Sequence, residues 1–116
     1  MDNERFFFVQ VPLNERGVMQ VREWNEEYTN VRTFEIPESE HYAIFDIYLA
    51  YNGVFDLLID SYEEDIMDAK YVPLALKMVR RFKQTSNDAV FLSGCAKLEE
   101  ALELATSLNV PVEFDF

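Results

Sequence analysis

The apolar and polar positions of this chain predict strands near both ends and helices between them. Phe6 to Val11 (FFFVQV) is aromatic and β-branched and stops at Pro12, as a strand does. Its run of three Phe implies burial on both faces and so a central place in a sheet. Asn14 to Gly17 is a polar connection, with Gly17 expected at a positive-φ position. Val18 to Trp24 admits two readings. As a helix its stripe would be Val18, Val21, Asn25 and Tyr28, which is poorly apolar, so a strand is preferred. Val31 to Ile36 sets Phe34 and Ile36 on one face of a further strand. Three such strands on short loops would form a meander.

Pro37, followed by Glu38 and Glu40, opens a helix at about 38 to 51. Ile44, Tyr48 and Tyr51 recur in it at helical spacing. Asn52-Gly53 is a stop signal. Val54 to Asp60 fits a strand or a second helical piece equally. Ser61 and Glu64 make an S-x-x-E capping pattern, which predicts a helical turn. Pro73 requires a fresh helix to about Lys83, with Leu74, Met78 and Phe82 on one stripe. Ala89 to Leu92 reads as a short strand. A last helix over 95 to 108 carries Leu98, Leu102 and Ala105 inward and Glu99, Glu100 and Glu103 outward. Val112 to Phe116 alternates and predicts a final strand. The class is α+β: an antiparallel sheet of three to five strands with two to four helices packed on it.

At 116 residues, with ten Phe and six Tyr, residues 1–116 are expected to form a single globular domain. One Cys excludes an internal disulfide and fits a reducing compartment. The N-terminal segment is acidic and lacks the pattern of a secretory signal, and no run is long enough for a membrane helix. A cytoplasmic location is expected.

Charge changes the picture more. The net charge is −12, and it is uneven. Residues 1–69 hold 16 acids and 4 bases, whereas residues 70–97 hold 6 bases and one acid. The acidic excess disfavours nucleic acid and anionic membranes as partners and favours basic proteins. The basic island, Lys77, Arg80, Arg81 and Lys83, suits a helix C-terminus. It is expected to pair with the acidic segment just before it or with another copy of the chain.

Chemistry is sparse. Phosphate-cradling, dinucleotide-binding, nucleophile-elbow and zinc motifs are all lacking. Cys95 would need a base, and His41 is the one His. A buried Cys and a capping or surface His are the simpler readings. Asp56, Asp60, Glu63, Glu64, Asp65 and Asp68 crowd thirteen residues but lack a calcium-loop pattern. No cofactor, no metal and no catalytic residue is assigned, so no enzyme activity is expected. Trp24 and Tyr28 stand among Glu23, Glu26 and Glu27, an aromatic pair ringed by carboxylates and suited to a basic partner.

The segments WNEEY (24–28) and DLLIDSYEEDIMD (56–68) give the chain a character that resembles the small acidic immunity proteins of bacterial toxin–immunity pairs. The resemblance implies a non-catalytic inhibitor that neutralises a basic, nuclease-type toxin through an acidic surface. The candidate partner-binding residues are Trp24, Glu26, Glu27, Tyr28, Asp56, Asp60, Glu63, Glu64, Asp65 and Asp68. Monomer and homodimer both stay open. So do two other readings, a homodimeric regulatory or accessory domain and a metal-dependent enzyme.

Overall fold

A computed structural model describes residues 4–23, 27–61 and 64–116. Among the described residues four strands, β1 (Phe6–Pro12), β2 (Val31–Pro37), β3 (Glu64–Met67) and β4 (Val112–Asp115), form one sheet in the order β2-β1-β4-β3. Every neighbouring pair is antiparallel. Five α-helices among the described residues accompany the sheet: α1 (Glu15–Glu23), α2 (Glu38–Ala43), α3 (Phe45–Phe55), α4 (Val72–Lys83) and α5 (Ala89–Leu108). This is the expected α+β architecture, and β1 is central in the sheet, as its Phe run implies.

Strand periodicity decides where the core lies. Val9, Val11, Phe34, Ile36, Met67, Val112 and Phe114 share one buried cluster with Ile44, Ile47, Tyr48, Tyr51, Val72, Val79, Leu98 and Leu102. One face of the sheet thus packs on α2 to α5. Each such Leu, Ile or Phe removed from water contributes about 1.5–3 kcal/mol. Where α5 crosses α2, Gly94 takes the place of a side chain: a Cβ there would meet Ile44 Cγ2 at 2.8 Å and the Glu40 carbonyl at 3.1 Å.

Several local expectations give way in the folded chain. The Asn14–Gly17 stretch is not a loop: α1 begins at Glu15, and Gly17 lies within it without a positive φ. Val18 to Glu23 is helical, so β1 and β2 are joined through α1 and the meander does not form. The buried stripe of α1 is Gly17, Gln20 and Val21, one Gly, one polar residue and one Val. Both ends of the Gln20 amide are paired there: it donates to Thr29 Oγ1 at 2.8 Å and accepts from the Asn30 N–H at 3.0 Å. The Asn14 carboxamide caps the helix by accepting from the Gly17 N–H.

The helix expected over 38–51 is two helices. They break at Ile44, whose φ of −102° and ψ of 13° leave the helical region. Asn52-Gly53 does not stop α3, which runs to Phe55 and ends on Asp56 in the left-handed conformation (φ 57°). Asn52 instead clasps the following segment, accepting from the Ile59 N–H at 2.7 Å and donating to its carbonyl at 3.0 Å.

No helical turn follows Ser61 across Glu64–Met67; those residues form β3 and pair with β4. Ala89 to Leu92 is not a strand but the first turn of α5. Asp88 caps that turn by accepting from the Phe91 N–H at 2.9 Å. Pro73 occupies the first turn of α4, where its missing N–H costs nothing.

Two members of the basic island, Arg80 and Lys83, pair within the chain, with acids of α5. Arg80 pairs with Glu99 at 2.8 Å and with Glu103 at 2.5 Å, and Lys83 pairs with Glu99 at 2.6 Å. Lys97 reaches Glu40 at 2.7 Å. The wet face of α5 neutralises Arg80 and Lys83.

Candidate docking face

The second face of the sheet carries a different set of side chains. Alternation puts Phe8 and Gln10 of β1, Thr33 and Glu35 of β2, Glu113 and Asp115 of β4, and Glu64 and Ile66 of β3 away from the main core. The β3–β4 register then sets Glu64 directly opposite Asp115. Two carboxylates at opposed positions repel, costing about 0.2–1 kcal/mol against a neutral pair.

Glu113 lies one pleat further along the same face and is fully buried. The Tyr28 hydroxyl donates to its Oε1 at 2.9 Å. Burial first, then the Glu113 hydrogen bond and charge, and then the fields of Asp115 and Glu64 hold the Tyr28 phenol far above its ordinary range. Tyr28 is therefore a hydrogen-bond donor, never a phenolate. Gln10 completes the row, since its Nε2 donates to Asp115 Oδ2 at 3.4 Å and its Oε1 accepts from Thr33 Oγ1 at 2.5 Å.

The fold thus joins two segments that stood apart in the sequence. Tyr28, with exposed Glu27 just before it, and Glu64 come to one face. Glu113 and Asp115 were missed by sequence reasoning. Their signal was present: in VEFDF the alternation that buries Val112 and Phe114 necessarily sends two acids to the opposite side.

The remaining predicted residues go elsewhere. Asp65 faces away and serves the backbone, accepting from the Leu58 N–H at 2.6 Å and the Ile66 N–H at 2.8 Å. Asp68 caps a short 3-10 turn by accepting from the Lys70 N–H at 3.1 Å. Asp56 and Asp60 are exposed beyond the end of α3. Trp24, Glu26 and Glu63 lie outside the described residues.

No family model, curated protein or solved structure matches the chain. The residues themselves must carry the functional reading.

The two groups with nucleophile or base chemistry are both core residues. Cys95 is buried and burial pushes its thiol up to about 11, so at neutral pH it is a protonated, poor nucleophile. His41 is fully buried, and burial, with Arg5 nearby, pushes it down to about 4. It stacks on Phe7 and shares a 3.3 Å hydrogen bond with Ser61 Oγ. No hydrogen bond joins His41 to Cys95. Among the described residues no three His, Cys, Asp or Glu side chains converge as a metal site would need, and no helix is long and apolar enough to cross a membrane.

Proposed function

We propose that this protein is a non-catalytic inhibitor of the immunity-protein kind, acting in the cytoplasm and docking a basic, nuclease-type toxin domain on the outer face of its sheet. The observation that carries this reading is the carboxylate row, Glu64 opposite Asp115 with Glu113 beneath Tyr28 beside them. A solubility device spreads charge over exposed, separated positions. Here two carboxylates are set opposite one another across two strands, next to a carboxylate that water does not reach. That arrangement weakens the free protein and favours whatever brings cations to it.

Arg and Lys lining a nuclease cleft for phosphates would meet Glu64 and Asp115 in the same geometry in which they meet nucleic acid. Such docking blocks the cleft without chemistry. Steering by the −12 charge would make association fast and salt-dependent.

The test is co-expression with the toxin-type domain encoded beside this gene. Cells survive with the wild-type chain and die with the Glu64→Lys, Asp115→Lys double variant, while that variant stays folded by circular dichroism. Full protection by the double variant, or a gene neighbourhood without any toxin-type reading frame, defeats the reading.

A further inference from the structure

Helix α3 is apolar almost all round, yet one of its sides is in water. Its buried side is Ile47, Tyr48, Tyr51 and Phe55. On the opposite side Leu49 is 53% exposed and Gly53 has open space above it, and Val54, close to the end of the helix, is 56% exposed. A helix of this kind normally has both sides covered. The apolar surface continues on either flank. On one side Leu49 borders a hollow shared with Phe45, Asn52, Leu58 and Asp60, where Leu58 is 73% exposed. On the other side Ala50 borders a hollow of about 360 Å³ shared with Met78, Arg81 and Phe82, and Leu74 and Lys77 lie just beyond it.

The charges around this surface are sorted by side. Asp60 lines the hollow beside Leu58, and exposed Asp56 stands two residues before Leu58 in the chain, whereas Lys77 and Arg81 line the hollow on α4. Arg80, Lys83 and Lys97 are held by acids of α5 and α2. Among the described residues, Lys77 and Arg81 alone of the α4 cations lack an ion pair.

We infer that this surface is a homodimer interface, with a second copy of the same chain seated on α3. An isologous interface must be complementary to itself. A two-fold axis running along the α3 ridge lays each copy's basic rim on its partner's acidic rim and closes the leucines between them. An axis across the ridge would set acid on acid and base on base, so the charge pattern selects the first arrangement. The two α3 helices then run in the same direction. An ordinary helix crossing angle separates Asp46, a turn before Leu49, from its own copy. The acidic sheet face takes no part in this interface, and the inference stands or falls independently of the proposed inhibitor role.

Sedimentation equilibrium on the full chain, from micromolar to near-millimolar concentration, reads the outcome directly. The wild-type chain sediments at twice its monomer mass at the upper end. Leu58→Asp, at a highly exposed position outside any helix, returns it to monomer with an unchanged circular dichroism spectrum. Arg81→Glu weakens the dimer by about tenfold or more, and adding Asp56→Lys to it restores part of the loss. A wild-type chain that is monomeric throughout overturns the inference. So does a dimer that Leu58→Asp and Arg81→Glu both leave intact, because it would use another surface.

Discussion

The imidazole of His41 lies flat on the ring of Phe7, with centroids 3.6 Å apart and planes within 3° of parallel. Phe45, Tyr48 and Phe116 close around the same imidazole. Arg5 sits 4.5 Å above Phe7 and donates to the carbonyls of Ser61 and Phe116. A charged imidazole has no place in this stack, so His41 folds neutral. The sequence reading of a surface or capping histidine is corrected accordingly: His41 is buried among these rings, and Tyr42 beside it is the residue that α2 leaves half exposed.

Stability should therefore fall on mild acidification. His41 titrates at about 4 in the folded chain, below the 6.5 of an unperturbed His. The unfolded state then binds the proton first. Stability is complete above pH 6.5 and declines as pH falls from 6.5 towards 4. The loss between pH 7.5 and pH 5 is about 2 kcal/mol. Urea unfolding at the two pH values measures it. His41→Phe, which keeps the stack and cannot titrate, should show a much smaller difference; an equal difference would place the effect on other groups.

Two glycines should respond in opposite directions to alanine. A Cβ on Gly17 would collide with the Asn30 backbone carbonyl, and the Pro12 side chain lies 3.1 Å away. Neither can yield cheaply, so Gly17→Ala should destabilise by about 2–3 kcal/mol. Gly53 sits inside α3 with nothing within 4 Å of the added atom. Gly53→Ala should stabilise by roughly 0.5–1 kcal/mol through helix propensity. Thermal melts of the two variants, side by side, check the sign of each.

The carboxylate pair predicts a trade between stability and docking. Glu64→Gln removes the charge opposite Asp115 and should raise stability by about 0.2–1 kcal/mol. The gain should shrink in high salt, where the repulsion is already screened. Chemical denaturation at low and high ionic strength measures both. A Glu64→Gln protein less stable than the wild type at low salt would show that the two carboxylates do not repel.

What the sequence determined by itself was local. The strands at Phe6–Pro12, Val31–Pro37 and Val112–Asp115 and the helix after Pro73 were legible, because β-branched alternation and proline act on neighbouring residues. The acidic balance was legible because net charge is a sum over residues, whatever the fold. Tertiary structure decided the rest. It made Val18–Glu23 a helix, because the buried Gln20 finds its partners in Thr29 and Asn30, and a polar residue in a stripe hides the stripe. It made Glu64–Met67 a strand, because β4 offers an open edge that a four-residue capping pattern cannot outweigh. It also assembled the candidate docking face. Glu64 and Asp115 lie in distant parts of the chain, and only the β3–β4 register, a property of backbone hydrogen bonds across space, sets one carboxylate against the other.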